Sequence, residues 1–496
     1  MLNYGDAVAH LHIARRIFDS HRPGLSQVGS VWLPLPHLLM IPFVAVYPWW
    51  ANGIAGLIPS SLAWLASCWG IHRLARQWLR PAAAGLALAF FALNPNLLYM
   101  QTTAMTEPLF VCEMVWTALW LVQWRASLES ADIRRSNRIL WLLVVVLVAA
   151  VYTRYDGWIM ALIAWVAIGV VLLRRGLLRS RVFWMATAVV VAAPAAWFAY
   201  NAVVFGDWLD FMRGPYSAKA IEMRTAMPGA GPPHPGWHNP WVSLLFYVKA
   251  AEMDSAVWGN LLLAVSLLGT TWAWLTERRP HFAWSLLLWL PVPFYTYSVA
   301  YGSVPIFLPV WWPHSYYNTR YGLELLPALA LGVGFAARFV LSAIGDFKPA
   351  WTRIAAVLLF AAIAMNAVLM IRERPLVFVE GTKNIEARNP YEREIPPAMK
   401  KLLAARPGGT VLMNTSVFPQ IVAFTGIPLR QTVNESDKEY YQAALEGPAS
   451  HADLLLAFDG DAVDRAVKAH PQGLRVVGRF STPGQPNGTL YVSDTR

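Results

Sequence analysis

Charged residues are scarce in this sequence. Asp, Glu, Lys and Arg together make up 14% of its 496 residues, whereas 56% are hydrophobic and 25 are Trp. Soluble proteins carry roughly 25% charged residues, and they lack the long apolar runs that recur here over about 370 residues. This combination excludes an ordinary soluble protein and predicts a polytopic helical membrane protein.

Cysteine is almost absent as well. The chain has two, Cys68 and Cys112, and both lie inside apolar runs. A cysteine in such surroundings usually acts as a small core residue, so we predict neither a disulfide framework nor a thiolate metal site. The N-terminus also lacks the basic region followed by an apolar region that marks a signal peptide, and none is expected.

The net charge of +11 does not indicate a nucleic-acid partner. Arg residues cluster in short loops between apolar runs, which is the pattern of membrane topology rather than of a nucleic-acid groove. Each run is near the ~20 residues that a bilayer requires. We predict ten spans, at 54–78, 82–98, 107–125, 138–152, 157–173, 182–205, 257–276, 282–300, 321–345 and 353–372.

Alternate loops between these spans differ in charge. Because basic loops remain in the cytoplasm, the basic set is predicted to be cytoplasmic. The N-terminal segment 1–53, the outer loop 206–256 and the C-terminus then lie on the extracytoplasmic side of a plasma or inner membrane. The basic set comprises Arg73, Arg76, Arg80, Arg125, Arg134, Arg135, Arg138, Arg174, Arg175, Arg179, Arg181, Arg278, Arg279, Lys348 and Arg353.

The run Leu33–Trp50 is apolar enough to be a further span, but counting it would invert every later loop. It also contains four prolines, a heavy load for a spanning helix. We therefore predict a hydrophobic segment at the outer face. The same parity leaves room for a span before Met1, which a mispredicted start codon would have removed.

The composition changes after Ile371, and we divide the chain into an outer juxtamembrane part (1–53), a transmembrane bundle (54–372) and a soluble extracytoplasmic α/β domain (376–496). In the last part, polar helical stretches alternate with short strand-like runs. It has no GxGxxG or P-loop pattern, so we assign no nucleotide. The helical stretches are 391–405, 438–445 and 462–470, and the strand-like runs are 410–413, 454–458, 474–480 and 489–492.

Two acidic residues on the predicted outer side need an explanation. Asp6 begins an amphipathic stretch and shares a helix face with His10, and Glu107 begins a span just before Pro108. Ordinary helix chemistry suits both, with Asp6 as N-cap and Glu107 as a first-turn carboxylate. Glu107 also lies in a polar patch at the end of the bundle, and such patches tend to line water-filled cavities.

Two arginines lie on the same side, against the charge bias. Arg154 stands beside Asp156 in TRYDGW, and Arg320 comes just before a span in NTRYG, where a cation opposes the helix macrodipole. Arg154 and Asp156 can form an ordinary surface pair, and Glu324 can neutralise Arg320 from one turn away. An anionic ligand is the alternative partner, because the arginine fork suits phosphate.

The order of these motifs resembles a known family. An acidic residue in a first outer segment is followed by WLPLPHLL, MTEPLF, TRYDGW and NTRYGLELLP, and a soluble outer domain closes the chain. This order resembles the GT-C superfamily of membrane glycosyltransferases, over about residues 1–372. Its members include dolichyl-phosphate-mannose protein mannosyltransferases, aminoarabinose transferases of lipid A and oligosaccharyltransferase catalytic subunits.

The resemblance implies transfer of a sugar from a polyprenyl-phosphate donor to a protein, lipid or glycan acceptor outside the cytoplasm. Asp6 matches the catalytic aspartate of the first loop and Glu107 the acidic residue of the second. Together they could hold a divalent cation, Mg²⁺ or Mn²⁺, because such hard ions prefer carboxylates. The mannosyltransferases usually have an Asp–Glu pair in the first loop, whereas Ala7 follows Asp6 here.

The remaining candidates are substrate-binding residues. Arg320 and Tyr321 match the pair near the donor phosphate, and Arg154 is a phosphate or structural contact. His37 in WLPLPHLL and His314, ahead of NTRYG, belong to the same motifs. With Asp6 as general base, Arg320 would stabilise the charge on the departing phosphate.

Two non-enzymatic alternatives remain. A lipid-linked sugar flippase or transporter would show inverted halves with interrupted spans meeting at mid-membrane, and no such symmetry is visible. A membrane-anchored binding protein would need far fewer than ten spans. We therefore favour the glycosyltransferase.

Overall fold

The computed structural model describes residues 1–225, 233–277, 279–347, 349–416 and 418–495. Within them the chain is mostly helical, and a small mixed sheet lies in its C-terminal part. Arg278, Lys348 and residues 226–232 of the predicted outer loop lie outside the described residues.

The chain opens with three short helices, α1 (Gly5–Arg16), α2 (Leu35–Val44) and α3 (Tyr47–Asn52). The apolar run that contains α2 and α3 is interrupted at Val46, which has extended backbone geometry. At 1.5 Å per residue, α2 is about 15 Å long, half the thickness of a bilayer core. Neither α2 nor the shorter α3 is therefore long enough to be a span.

The membrane bundle that the sequence predicts is present. Six described helical stretches are long and apolar enough to cross a membrane: Ile54–Ala75, Tyr155–Arg174, Arg181–Phe205, Gly259–Thr276, Thr319–Asp346 and Ala350–Ala404. The helices of this part are α4 (Ile54–Ala75), α5 (Pro81–Ala92), α6 (Pro95–Met100), α7 (Glu107–Glu129), α8 (Ile133–Val151), α9 (Tyr155–Arg174), α10 (Arg181–Phe205), α11 (Asp210–Arg213), α12 (Ala218–Thr225), α13 (Pro240–Ser255), α14 (Gly259–Thr276), α15 (Pro291–Tyr301), α16 (Leu326–Phe347) and α17 (Pro349–Glu373).

Two predicted spans are broken rather than continuous. The span 82–98 divides into α5 and α6, and the span 282–300 divides into a 3-10 helix, Pro280–Trp289, followed by α15. Pro95 and Pro291 begin the second piece in each case, because proline lacks the N–H that an uninterrupted helix would use. Asn94 caps α6 by accepting a hydrogen bond from the Leu97 N–H at 3.0 Å.

The predicted outer loop 206–256 is largely helical where it is described. Its last part is α13, whose inner face is buried against the 3-10 helix Thr319–Leu325. A Cβ atom added to Gly322 would lie 2.6 Å from the Ala251 nitrogen, so the two backbones meet without intervening side chains. This end of the loop is part of the bundle's packed interior.

The C-terminal part is an α/β unit, as predicted. Its sheet has the order β2-β1-β3-β5-β4, with β2, β1 and β3 parallel and the other pairs antiparallel. The four predicted strands are present, and the two-residue β2 was missed because it is too short for a period-two pattern. The elements are α18 (Leu376–Ala404), β1 (Val411–Met413), α19 (Gln420–Thr425), β2 (Thr432–Val433), α20 (Glu439–Glu446), α21 (Pro448–His451), β3 (Leu454–Phe458), α22 (Ala462–Ala469), β4 (Leu474–Phe480) and β5 (Gly488–Ser493).

The helix α18 anchors the start of the chain. Gly5 N–H donates to the Asn384 side chain at 2.8 Å, and the Tyr4 hydroxyl donates to the Val377 carbonyl at 2.7 Å. Arg388 donates to two main-chain carbonyls just before α1, each at 2.9 Å. These contacts hold α1, and therefore Asp6, in a defined position.

We predict that Gly269→Ala destabilises the protein. Gly269 lies where α14 crosses α16, and its added methyl group would collide with the Gly332 carbonyl and lie 2.8 Å from the Ala336 nitrogen. Overpacking of this kind lowers the free energy of unfolding by about 1–3 kcal/mol. Thermal unfolding of the purified protein in detergent, followed by circular dichroism, measures the change.

The matched control is Gly85→Ala in α5, where no atom lies within 4 Å of the added Cβ. Alanine favours a helix over glycine by roughly 0.5–1 kcal/mol, so this variant should unfold at the same or a higher temperature. Equal unfolding temperatures for the two variants would contradict the proposed close contact.

Candidate active site

Asp6 lies in the first turn of α1, and Tyr4 occupies the N-cap position, so the N-cap interpretation of Asp6 is wrong. Its carboxylate instead accepts a hydrogen bond from Arg320 Nη2 at 2.9 Å. The Asp6 side chain is 48% exposed, whereas the Arg320 side chain is 6% exposed. Asp6 is therefore a solvent-accessible carboxylate that is paired with a buried cation.

Arg320 is the centre of this arrangement. Besides Asp6, it donates from Nε to Glu107 at 3.0 Å and from Nη1 to Glu380 at 2.9 Å. Glu107 and Glu380 are both buried, with side chains 1% and 5% exposed. Three carboxylates from three distant parts of the chain thus converge on one guanidinium group.

Glu380 is a residue that sequence reasoning missed. It comes from α18, near the start of the predicted soluble domain, and it also accepts hydrogen bonds from the Asn318 and Thr319 main-chain N–H groups at 2.9 and 3.0 Å. It therefore satisfies the N-terminus of the 3-10 helix that carries Arg320. The sequence indicates only that Glu380 lies one turn into a helix that follows the last span. This position does not identify the residues that Glu380 contacts.

Arg154 forms the second half of the site. It donates to Asp156 at 3.1 Å, to the Thr106 hydroxyl at 2.9 Å and to the Tyr295 hydroxyl at 2.8 Å. Its side chain is 15% exposed, so the interpretation of Arg154 and Asp156 as a surface pair is wrong. Arg154 is therefore buried, and its guanidinium group donates to acceptors within the protein.

Glu324 also differs from expectation. The sequence offers it as one possible partner of Arg320, one turn away, but it pairs with Arg154 Nη2 at 3.2 Å and accepts a hydrogen bond from the Tyr295 hydroxyl at 2.7 Å. The 3-10 geometry explains the change, because residues four apart do not share a face when a helix has three residues per turn.

Tyr321 connects the two halves. The guanidinium carbons of Arg154 and Arg320 each lie 5.2 Å from the centre of its ring. The ring also stacks on Tyr295 with centroids 4.8 Å apart. Cation–π contacts of this kind are worth about 2 kcal/mol or more when desolvated, so Tyr321 stabilises both arginines where water is excluded.

His37 and His314 occupy very different places. His37 is completely buried, and its Nε2 lies 2.8 Å from Nδ1 of His10, which follows Asp6 by one helical turn. Burial lowers the pKa of His10 to about 4 and the pKa of His37 well below its usual value, so both rings are neutral at pH 7. His314 is exposed, and its Nδ1 lies 3.0 Å from the carbonyl of Pro309 in the same loop.

The arrangement does not fit a closely bound divalent cation. Asp6 and Glu107 are joined through Arg320, so a metal ion bridging them would have to take the place of the guanidinium. Across the part of the chain that the structure describes, no three or more His, Cys, Asp or Glu side chains are grouped as metal ligands. The Asp6–Glu107 metal site stays a prediction, and the proposed transfer reaction does not require it.

Known structures with this architecture include ArnT from Cupriavidus metallidurans. The chain matches its apo crystal structure with a TM-score of 0.58 at 12% sequence identity, covering 99% of this chain and 93% of that one. It matches ArnT bound to undecaprenyl phosphate with a TM-score of 0.57 at 12% identity, covering 98% and 93%. Arabinofuranosyltransferase AftD from Mycobacteria matches with a TM-score of 0.42 at 14% identity, covering 98% of this chain and 39% of AftD.

No protein-family profile and no curated protein sequence matches the chain. The likeness to the ArnT structures therefore shows the fold alone, an ArnT-like bundle of membrane helices followed by a C-terminal α/β unit. The resemblance that the motifs indicated is confirmed at this level.

We predict that Arg154→Met strongly destabilises the protein. The change leaves the buried carboxylates of Asp156 and Glu324 without their cation, and breaking a buried ion pair in this way lowers the free energy of unfolding by about 3–5 kcal/mol. Adding Glu324→Gln should recover part of the loss. Thermal unfolding in detergent measures both, with Arg174→Met, an exposed arginine, as control. An unfolding temperature of Arg154→Met equal to that of Arg174→Met would contradict the buried network.

We also predict that acid destabilises the fold through the buried histidines of α1. Burial lowers the pKa of His12 to about 3, and His12 packs on Trp50 with ring centroids 4.9 Å apart. Between about pH 6.5 and pH 4 the unfolded chain binds more protons at such a histidine, so stability falls by up to about 1.4 kcal/mol per pH unit as pH is lowered.

The variant His12→Phe should reduce this pH dependence, because it keeps the aromatic packing and removes the titrating group. The exposed His451, changed to Phe, is the control and should leave the pH dependence as in the wild type. Chemical unfolding curves at pH 7, 6 and 5 give the slopes. An unchanged slope in His12→Phe would show that His12 is not a source of the acid sensitivity.

Proposed function

We propose that this protein is a membrane glycosyltransferase that transfers a sugar from a polyprenyl-phosphate donor to an acceptor at the membrane surface. The fold supports this proposal, because it is similar to that of ArnT, and one ArnT structure holds undecaprenyl phosphate. The ion-pair cluster supports it independently, because it supplies a carboxylate base and a cation side by side.

The observation that carries the proposal is the exposure of Asp6. Five carboxylates pair with Arg154 and Arg320, and four of them have side chains at most 5% exposed. Asp6 alone among these five is open to solvent, at 48%. A general base must reach the proton that it removes, and within this cluster Asp6 meets that requirement.

Asp6 and Arg320 then have complementary roles. The acceptor hydroxyl attacks the anomeric carbon of the donor sugar, the bond from that carbon to the phosphate oxygen breaks, and the acceptor proton passes to Asp6. The leaving polyprenyl phosphate keeps the electron pair. Direct displacement in this way inverts the configuration at the anomeric carbon.

The contact at 2.9 Å couples these two events. Protonation of Asp6 removes one negative charge from Arg320 at the moment when the departing phosphate gains one. Arg320 has five N–H groups, and the three carboxylates use one on each nitrogen, so both Nη atoms carry a further N–H for phosphate. Electrostatic stabilisation of this kind needs no rearrangement of buried groups.

The charge bias supports an extracytoplasmic site. Glu107 lies at the start of α7, whereas Arg134, Arg135 and Arg138 lie in the first turns of α8, which follows the other end of α7. Basic segments beside spans remain in the cytoplasm, and this supports an extracytoplasmic position for the Asp6 cluster.

The test is Asp6→Asn. This variant keeps the size of the side chain but cannot accept the acceptor proton, so transfer should fall by about 10²–10⁴-fold. The assay follows sugar transfer from a panel of polyprenyl-phosphate sugars by purified protein in nanodiscs. The unfolding temperature should stay close to that of the wild type, because Asp6 is a partly exposed member of the cluster.

Glu386→Gln is the control, since Glu386 is an exposed carboxylate on α18 that pairs with Lys383 at 3.0 Å, away from Arg320. It should transfer sugar at the wild-type rate. If Asp6→Asn also transfers at that rate with a donor that the wild type uses, Asp6 is not the base and the mechanism is wrong.

A further inference from the structure

An apolar groove of about 830 Å³ lies in the membrane bundle, apart from the ion-pair cluster. Its walls come from α7, α9 and the 3-10 helix Pro280–Trp289, and they include Leu121, Arg125, Ala164, Val171, Trp284 and Leu287. This volume is within the range of small-molecule sites, and most of the lining is hydrocarbon or aromatic.

The groove follows from local sequence features. Pro291 begins α15, so the 3-10 helix before it does not continue as one regular spanning helix. Ala164 and Ala167 of α9 face the gap. Two methyl side chains opposite an interrupted helix leave space that larger residues would fill.

The groove ends at the membrane surface opposite the Arg320 cluster. Arg125 lies 18 residues after Glu107 on α7, which at 1.5 Å per residue is about 27 Å along the helix. The hydrocarbon core of a bilayer is about 30 Å thick. Arg125 is therefore at the level of lipid headgroups on the other face.

Arg125 is the one charged residue among those that line the groove. Its side chain is 16% exposed, and its Nε lies 3.6 Å from Glu129, which also lies 3.4 Å from His281 Nδ1. Its Nη1 is buried and has no hydrogen-bond partner within the described residues. A buried N–H group left in this way is unfavourable, and an anionic oxygen would satisfy it.

We infer that this groove binds an anionic glycerophospholipid, with an acyl chain between α7 and α9 and the phosphate on Arg125. The polyprenyl-phosphate donor of the proposed reaction does not fit as well, because its phosphate is needed at Arg320, which contacts Glu107 at the far end of α7, about 27 Å along the helix from Arg125. The basic loops at this end attract anionic lipids to the same surface. The site lies apart from the proposed transfer reaction, and only the choice of a glycerophospholipid over the polyprenyl donor rests on the proposed function.

Native mass spectrometry of the full-length protein tests this inference. The lipids are dioleoylphosphatidylglycerol, dioleoylphosphatidylcholine and undecaprenyl phosphate, each titrated into detergent-solubilised protein. The wild type should bind the anionic glycerophospholipid more tightly than the neutral one. Arg125→Gln should weaken phosphatidylglycerol binding about tenfold and abolish the preference, because a charge-assisted hydrogen bond is lost.

Ala167→Phe should remove the tight phosphatidylglycerol binding by filling the groove while keeping Arg125. The controls are Arg134→Gln, an exposed arginine at the same membrane surface, and Val166→Phe, an exposed neighbour of Ala167 that does not line the groove. Both should bind phosphatidylglycerol as the wild type does.

Two results would overturn the inference. One is wild-type binding of phosphatidylglycerol in both Arg125→Gln and Ala167→Phe. The other is a loss of undecaprenyl phosphate binding, but not of phosphatidylglycerol binding, in Ala167→Phe, which would assign the groove to a polyprenyl chain. Neither measurement involves sugar transfer, so failure here leaves the proposed function untouched.

Discussion

The buried ion pair between Arg320 and Glu380 is the interaction on which the rest of the site depends. Glu380 comes from the C-terminal unit, holds the N-terminus of the 3-10 helix through Asn318 and Thr319, and orients the guanidinium group at 2.9 Å. In that orientation Arg320 also donates to Asp6 at 2.9 Å. Because a buried cation without its partner is strongly unfavourable, the bundle and the C-terminal unit must dock for the site to form.

The charge balance of the site follows from this arrangement. Two guanidinium groups pair with five carboxylates, so acidic groups are in excess. Tyr321 contacts both cations with its ring face, which keeps them stable in a place with little water. In the proposed reaction the departing phosphate adds a negative charge beside this site, and proton uptake by the exposed Asp6 removes one in the same step.

Much of the site could be predicted from the sequence because its members stand out locally. Asp6, Glu107, Arg154 and Arg320 are charged residues at the ends of apolar runs, and a common end of the bundle brings them together. Their partners could not be read in the same way. Glu324 pairs with Arg154 across 170 residues of sequence, and only the 3-10 geometry of its helix turns it there.

The same distinction between local signals and long-range contacts applies to the fold. The membrane bundle and the α/β unit could be predicted from the sequence alone, because they depend on local properties. These are the length of the apolar runs, the charge of the loops between them, and the alternating pattern of residues 410–493. The tertiary structure decided where the interrupted helices leave a groove, how α18 anchors the start of the chain and why Glu380 belongs to the site. These depend on contacts between residues far apart in sequence, and such contacts leave no periodic signal in the chain.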